Sequence, residues 1–269
     1  MDILRRESAQ LSAKVWAELD RAVATTATHV MTARRIATFD GPRGWDYLAA
    51  PLGTMTPCRT GAGKAVVCVP EVALLAQIRA DFSVAWADVE VFERGGPALD
   101  TGPAEAAARE VALAEDRLTL YGDPVGLGFV RAKSSPRAAL QEWSQAGHIV
   151  GDLLKAVETL DRLGIPGPYE AVLSPARYYA YLAASDRGYP VARHLRPVFG
   201  GVHRCAVMLD DGAAVFSMRG GDFIVTVGGD LAVGYRSHDV DAVHLFCVET
   251  VAAQTVTPEA VCLLSHVAG

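Results

Sequence analysis

Apolar residues recur at helical spacing in several stretches of the chain. In the first, Val15, Leu19 and Val23 form one stripe, with charged residues on the opposite side of the predicted helix. In the second, the apolar steps of three and four residues end at Gly122, a residue type common at helix C-termini. The pattern predicts four main helices, which begin near Ser12, Thr101, Ile149 and Ser174.

Alternation of apolar and polar residues predicts the strands. It is longest from Leu74 to Val84, which indicates a single strand. Residues 51–64 show no period and carry several glycines and prolines, so we expect a long extended loop there. Helices and strands are segregated along the chain, which predicts an α+β fold. Short strands are predicted at Ile36–Phe39, Tyr169–Leu173, Val202–Leu209, Ala214–Met218, Phe223–Val227, Leu231–Tyr235 and Val243–Val251.

Composition narrows the possible function classes. Acidic residues outnumber basic ones, 31 to 25, and the net charge of −6 argues against nucleic acid as a partner. Hydrophobic residues make up 51% of the 269-residue chain and mean hydropathy is +0.19, so we expect a homo-oligomer that hides apolar surface between subunits. No apolar run approaches the roughly 20 residues of a membrane-spanning helix. The N-terminus has no secretory signal, so we expect a cytoplasmic protein without membrane partners.

Metal and cofactor sites are not expected from the sequence. The five cysteines form an odd set without a CxxC pair, which favours buried reduced thiols over disulfides or a zinc site. The seven histidines never show HxxxH or HExxH spacing. The sequence therefore predicts no metal and no cofactor.

One turn carries the residue types of a hydrolase: Ser237, His238, Asp239 and Asp241. Neighbouring residues on a turn cannot supply the separate positions that a nucleophile, a base and an orienting acid need. We expect a solvated turn instead. No other catalytic constellation stands out, so the sequence predicts a binding or structural protein and not an enzyme.

An acidic pair, Glu115-Asp116, lies late in the second predicted helix. Arg109 and Arg117 lie close to it on the same helix. We expect these groups to form ion pairs at the surface, where such pairs contribute little to stability.

The order of motifs along the chain resembles a known family. An N-terminal amphipathic helix precedes a GPxGW turn, a long extended loop, a long strand, an Ala/Glu-rich helix and a β-rich C-terminal third. This order and spacing resemble the encapsulins, shell proteins of bacterial and archaeal nanocompartments with the fold of tailed-bacteriophage major capsid proteins. The resemblance covers essentially the whole chain, and its residues are Gly41–Tyr47, Phe92–Gly95, Ala114–Asp116, Gly167–Tyr169, Gly188–Val191, Arg219–Phe223 and Gly229–Tyr235.

The resemblance implies an icosahedral shell of sixty copies or a larger icosahedral multiple. Residues 1–50 would hold a lumenal helix and the start of a peripheral domain, and residues 51–70 an extended intersubunit loop. Residues 71–121 would continue the peripheral domain, residues 122–198 would form an axial domain, and residues 199–269 would return to both. The border of a fivefold pore would consist of Ser185, Asp186, Arg187, Gly188 and Tyr189.

The resemblance also implies a lumenal site for a C-terminal targeting peptide of cargo enzymes. Such cargo would be a ferritin-like protein or a dye-decolourising peroxidase, with roles in iron storage and oxidative stress. The peptide would lie along the apolar stripe of the first helix, and its pocket would consist of Arg34, Ile36, Thr38, Leu231, Val233 and Tyr235. The alternative is that these residues pack the first helix onto the shell wall.

Two departures from the family pattern bear on ligands. Thr28 and Thr38 stand where relatives often carry a bulkier apolar and an acidic residue, which indicates an atypical cargo peptide. Some encapsulins carry a flavin on a tryptophan that precedes the ERG turn. Ala87 takes that place in this chain and Trp86 is its neighbour, so we expect no bound flavin.

Two alternatives to a compartment shell remain open at the level of sequence. One is a phage-derived capsid protein that packages DNA, and the other is a soluble oligomeric enzyme with an unrecognised site. The acidic balance, the lumenal first helix and the expected absence of a scaffolding segment before it favour the shell.

Overall fold

The chain folds into two compact units, each assembled from segments that are distant in sequence. The computed structural model describes residues 2–60, 65–124, 128–208 and 212–265. Unit 1 consists of residues 1–29, 39–112 and 226–254. Unit 2 consists of residues 30–38, 113–225 and 255–269.

The four predicted main helices are present, together with shorter helices that the pattern did not predict. They are α1 Ala13–Val30, α2 Ala33–Ile36, α3 Trp86–Glu93, α4 Gly102–Tyr121, α5 Ala146–Arg162, α6 Pro175–Ala183 and α7 Val191–Leu195. The hydroxyl of Ser174 accepts a hydrogen bond from the backbone N–H of Arg177, and Pro175 opens α6, as the sequence predicts. None of the helices in the described part of the chain is long and apolar enough to cross a membrane.

The strands are short, apart from β6 and β15. They are β1 Thr38–Asp40, β2 Ala49–Met55, β3 Arg59–Thr60, β4 Val66–Val67, β5 Pro70–Leu74, β6 Ala76–Ala85, β7 Arg137–Ala139, β8 Tyr169–Leu173, β9 Ser185–Asp186, β10 Tyr189–Pro190, β11 Phe199–Arg204, β12 Ala213–Ser217, β13 Phe223–Val227, β14 Ala232–His238, β15 Ala242–Thr255 and β16 Val261–Ser265.

The core of unit 1 lies between a sheet and two helices. The strand order is β1-β13-β15-β14, and β6 pairs antiparallel with β15, with Leu245 opposite Phe82. The apolar stripe of α1 and the alanine-rich face of α4 cover one side of this sheet. The buried side chains in this core include Val15, Leu19, Val23, Val84, Ala108, Val111, Val233 and Leu245. The stripe of α1 is therefore internal to the subunit, which corrects the expectation that it is an exposed surface.

A two-stranded β arm extends the same unit. β2 and β5 pair antiparallel, with Ala49 opposite Leu74 and Pro51 opposite Val72. β3 and β4 pair further out. The sequence predicts an extended loop here. The structure instead contains paired strands, which the pattern does not indicate because glycines and prolines interrupt it. Residues 61–64 of the predicted loop lie outside the described residues.

Unit 2 is built on a second sheet, in the order β11-β8-β12-β16-β7. The outer pairs β11·β8 and β16·β7 are parallel, while β12 runs antiparallel to both of its neighbours. α5 packs against β16, β7 and β12, and α6 packs against β8 and β11. The predicted strand Tyr169–Leu173 is an interior strand of this sheet, and its residues are buried except for the half-buried Glu170.

Two local predictions need correction. The strand predicted at Ile36–Phe39 is the end of α2 followed by β1. The single strand predicted from Leu74 to Val84 is interrupted at Leu75, whose N–H donates to the carbonyl of Leu48. Alternation continues across this break, so periodicity alone cannot reveal it.

The cysteines are only partly as predicted. Cys205, Cys247 and Cys262 are buried free thiols, as the sequence predicts. Cys58 and Cys68 form a disulfide, so the prediction of reduced thiols is wrong for this pair. The pairing of β3 with β4 brings the two sulfurs together across the arm, a proximity that depends on strand pairing and not on sequence spacing.

Candidate functional site

The three predicted site residues of unit 2 lie on the short segment that contains α2 and the start of β1. The carboxylate of Asp116, on α4, accepts hydrogen bonds from the N–H groups of Thr32 and Ala33 at 2.9–3.0 Å. These are backbone donors at the start of α2, which a helix cannot satisfy internally. Burial raises the pKa of Asp116 to about 7, although these N–H groups act in the opposite direction.

Arg34 is held by the neighbouring carboxylate. Its Nε lies 2.8 Å from Oε1 of Glu115 and its Nη2 lies 2.7 Å from Oε2, a two-point contact in which the carboxylate is fully buried. The expectation of a surface acidic pair is therefore wrong. Arg109 and Arg117 are exposed, whereas Glu115 and Asp116 face inward because they occupy the inner side of α4.

Ile36 and Thr38 border a small pocket. Ile36 is buried, and Thr38 is exposed and accepts a hydrogen bond on Oγ1 from the N–H of Gly221 at 3.1 Å. The pocket has a volume of about 160 Å³. It is lined by Ile36, Ala37, Thr38, Ser217, Met218, Gly220, Gly221, Asp222 and Phe223. Its volume suits one side chain of a peptide, and its lining combines polar and apolar groups in similar measure.

The turn that closes this pocket is formed by Arg219–Phe223, one of the motifs that carry the family resemblance. Gly220 and Gly221 both have positive φ, at 93° and 79°, which glycine adopts without strain. Arg219 contacts both carboxylate oxygens of Asp222 at 2.8 Å. Burial alone would raise the pKa of Asp222, but hydrogen bonds and the charge of Arg219 outweigh it and the pKa lies below its usual range. The motif is therefore a rigid turn beside Thr38.

The other three predicted site residues lie on or beside β14 in unit 1. Val233 is 0% exposed and packs in the same core as the stripe of α1. Tyr235 is also buried, and its hydroxyl lies 2.6 Å from Nδ1 of His238. Leu231 is half-buried against the edge of the core. Of these three side chains, Leu231 alone presents substantial surface.

The N-terminal residues follow one edge of β14. The N–H of Tyr235 donates to the carbonyl of Leu4 at 2.8 Å, and Nε of Arg6 donates to the carbonyl of Val233 at 2.8 Å. Arg6 also contacts both carboxylate oxygens of Asp20 on α1. These residues satisfy backbone groups that an edge strand would otherwise leave open.

The five predicted pore residues form an exposed hairpin in unit 2. β9 and β10 pair antiparallel, with Asp186 opposite Tyr189. Arg187 and Gly188, at the tip, have φ values of 48° and 84°, as a two-residue hairpin turn requires. The opposite charges of Asp186 and Arg187 therefore lie at the exposed tip.

Trp86 begins α3 and is fixed in place. Its indole N–H donates to the carbonyl of Asp239 at 3.0 Å, and its ring meets that of His238 edge-on at 6.0 Å. Ala87 is exposed beside it. The tryptophan therefore contacts protein groups on the turn between β14 and β15.

Sequence reasoning missed Glu115, Asp116 and Asp222, which shape the segment and turn beside the pocket. For Glu115 and Asp116, the sequence signal was a pair of acidic residues on an alanine-rich helix. Charge patterning along one helix cannot show which face a tertiary neighbour covers, so the surface interpretation prevailed.

Comparisons with a family model and with individual proteins identify the same family. Residues 1–252 match a family model described as "encapsulating protein for peroxidase". A Type 1 encapsulin shell protein of Rhodospirillum rubrum is 34% identical over 97% of this chain and 95% of its own length. One from Rhodococcus erythropolis is 33% identical over 98% of this chain and 100% of its own length.

Solved structures agree on the fold. A virus-like particle from Pyrococcus furiosus matches 94% of this chain and 100% of its own, with a TM-score of 0.72 and 16% identity. The capsid of Myoviridae phage XM1 matches 99% of both chains, with a TM-score of 0.58 and 11% identity. These likenesses confirm the predicted α+β fold of capsid proteins.

Proposed function

The chain belongs to the encapsulin shell-protein family, and from this we propose that its copies close into an icosahedral shell around cargo enzymes. The match over residues 1–252 carries the proposal, because it spans both units and the arm. We assign sixty copies or a larger icosahedral multiple to the shell. The DNA-packaging alternative rests on fold alone, and the net charge of −6 disfavours it.

The β arm supports the proposal of intersubunit contacts. Its exposed apolar side chains are Leu48, Met55, Val66, Val67, Val69, Val72 and Leu74. Exposure of such an apolar surface to water is unfavourable. In a homo-oligomer this surface is covered by contact with other copies of the same chain. We therefore assign the arm to the intersubunit loop, unit 1 to the peripheral domain and unit 2 to the axial domain. The hairpin Ser185–Pro190 then borders the fivefold pore.

We further propose that cargo contacts exposed groups of the predicted peptide site. Thr38 at the rim of the 160 Å³ pocket in unit 2 and Leu231 in unit 1 are the accessible members. Ile36, Val233 and Tyr235 are buried, so their proposed role is to support these surfaces from beneath. Arg34 positions the α2 segment through Glu115.

The cargo that we propose is a peroxidase, the class named in the family description, with a ferritin-like protein as the second candidate. Assembly and loading would take place in the cytoplasm.

Assembly is tested by purifying the chain alone. Size-exclusion chromatography with light scattering is expected to give megadalton particles, and negative-stain images closed shells. The ratio of absorbance at 260 nm to that at 280 nm is expected to be that of protein without nucleic acid. Monomers or dimers at neutral pH would contradict a shell, and a nucleic-acid-rich particle would favour DNA packaging.

Cargo capture is tested by co-expression with a peroxidase that carries the targeting peptide. Leu231→Asp and Thr38→Arg, made separately, are expected to leave particles intact and to lower cargo per particle, because each places a charge where apolar contact is proposed. Ser144→Arg, at an exposed position of unit 2, is the matched control. Unchanged loading in both variants would contradict the proposed contacts. Val233→Asp is expected to disrupt the subunit itself, since its side chain lies in the core.

A further inference from the structure

Three side chains, one of them distant in sequence from the other two, form one hydrogen-bonded chain on the surface of unit 1. Ser83 lies on β6 opposite His244 on β15, and its Oγ is 2.8 Å from Nδ1 of the imidazole. Nε2 of the same ring is 2.9 Å from Oδ2 of Asp239. Both ring nitrogens of His244 are therefore engaged, one by a hydroxyl and one by a carboxylate.

The partners determine where the ring proton lies. A carboxylate can only accept a hydrogen bond, so Nε2 carries the proton that it donates to Asp239. In the neutral ring, Nδ1 is then an acceptor, and the hydroxyl of Ser83 donates to it. A hydroxyl that donates to a neutral imidazole, oriented in turn by an ionised carboxylate, has the connectivity that activates serine as a nucleophile, with the roles of the two ring nitrogens exchanged relative to serine proteases.

Asp239 is itself held in place. Its Oδ1 accepts hydrogen bonds from the N–H groups of Asp241 and Ala242, both at 2.9 Å. The bond from Ala242 and that from the ring of His244 lower the pKa of Asp239 to about 2. The carboxylate is therefore ionised and oriented at neutral pH, without help from a ligand.

The serine hydroxyl lies in a shallow, open depression of the surface. A pocket of about 340 Å³ is lined by Asp81, Phe82, Ser83, Arg236, Ser237 and His244. Ser83 is exposed, so a substrate can reach it. Arg236 binds Asp81 through Nη1 at 2.6 Å, and its guanidinium carries several other N–H donors beside the pocket. The dimensions fit a short acyl group and its leaving group.

We propose that Ser83 is a nucleophilic serine, activated by His244 and oriented through Asp239, that hydrolyses short-chain acyl esters. Oγ of Ser83 forms a bond to the acyl carbon while its proton moves to Nδ1 of His244. The bond from the acyl carbon to the ester oxygen then breaks, and the departing alcohol takes that proton. Water releases the acyl group by the reverse sequence, in which Nδ1 accepts a proton from water and returns it to Oγ.

The turn that the sequence suggested as a hydrolase site thus contributes one group only. Asp239 belongs to the relay, while Ser237 and His238 are not the nucleophile and base. Their functional counterparts arrive from β6 and from the next strand, β15, through cross-strand pairing. This activity would be additional to the structural role of the shell.

The test uses the full-length wild-type protein with two probes, a fluorophosphonate and p-nitrophenyl acetate. Peptide mass spectrometry is expected to locate the phosphonyl adduct on Ser83. Ser83→Ala is expected to abolish that adduct and to lower ester hydrolysis roughly tenfold or more, and His244→Gln and Asp239→Asn to slow both reactions. Ser144→Ala, an exposed serine of unit 2, is the control and should leave both unchanged.

Two results would overturn the proposal. One is the absence of any adduct on Ser83 in the wild-type protein, which needs no variant to fold. The other is hydrolysis by Ser83→Ala at the wild-type rate. Particle size is measured on the same samples, so failure to form shells would count against the proposed function and leave the reactivity of Ser83 as a separate result.

Discussion

β5 and β6 follow one another in the chain, share one alternating pattern and have opposite environments. In β6, Phe82 and Val84 are buried against the helices of unit 1. In β5, Val72 is largely exposed and Leu74 is 74% exposed. The sequence shows no change of pattern between them, yet the chain breaks at Leu75 and passes from an arm to a core.

The difference lies in what covers each strand. β6 pairs with the long strand β15, and α1 and α4 cover one of its faces. β5 pairs with β2, and apolar side chains of this hairpin, among them Met55, Val72 and Leu74, remain exposed. An alternating pattern therefore specifies a strand with one apolar face, but whether the partner of that face lies in the same subunit depends on tertiary structure.

Removal of the arm is expected to have the largest effect. Residues 52–71 are replaced by Asn-Gly, which joins the paired residues Pro51 and Val72 by a two-residue hairpin turn. We expect the subunit to fold and shells to be lost, because the core uses none of the deleted residues. Light scattering measures the particle mass, and circular dichroism checks the fold. Intact shells of normal stability would refute the assigned role of the arm.

A matched pair of leucine substitutions sharpens the comparison. Leu245→Ala, at a fully buried position, is expected to lower the free energy of unfolding of the subunit by about 2–5 kcal/mol. Leu74→Ala, on the exposed arm, is expected to change it by less than about 0.5 kcal/mol and to weaken assembly instead. Urea unfolding followed by tryptophan fluorescence measures both, since Trp16 packs in the core of unit 1. Equal effects on unfolding would contradict the distinction between arm and core.

The last expected effect concerns the pH dependence of stability that a buried carboxyl causes. The pKa of Asp116 is about 7 in the folded chain and near 3.8 when unfolded, so the folded state binds the extra proton between these values. Stability should therefore fall as pH rises from about 4 to 7, by up to about 1.4 kcal/mol per pH unit, and then level off. Asp116→Asn is expected to flatten this dependence in urea unfolding from pH 5 to 8. An unchanged slope would show that Asp116 titrates normally.

Local patterns predicted much of the fold. The stripes of α1, α4 and α5, the start of α6 at Ser174-Pro175 and the strand Tyr169–Leu173 all follow from periodicity or capping. These features depend on residues within a few positions of one another, so a sequence can specify them directly. The order of motifs further indicated the family, which the comparisons confirm.

The candidate sites were less predictable, because their groups come from separate elements. Cys58 and Cys68 meet across a strand pair, and Glu115 meets Arg34 from another segment of unit 2. Ser83 reaches His244 only through strand register. Periodicity placed Val233 on an apolar face but could not tell a binding surface from a core.

Local sequence patterns were enough to predict the four main helices, several of the strands and some of their ends, and the order of motifs indicated the family. Tertiary structure alone decided which apolar faces are buried within the subunit and which remain exposed on the arm. It also decided that Glu115 pairs with the distant Arg34 and that Asp116 accepts hydrogen bonds from the distant N–H groups of Thr32 and Ala33. The physical reason is that propensity and capping act between near neighbours in the chain, whereas burial and ion pairing depend on neighbours that only the folded chain brings together.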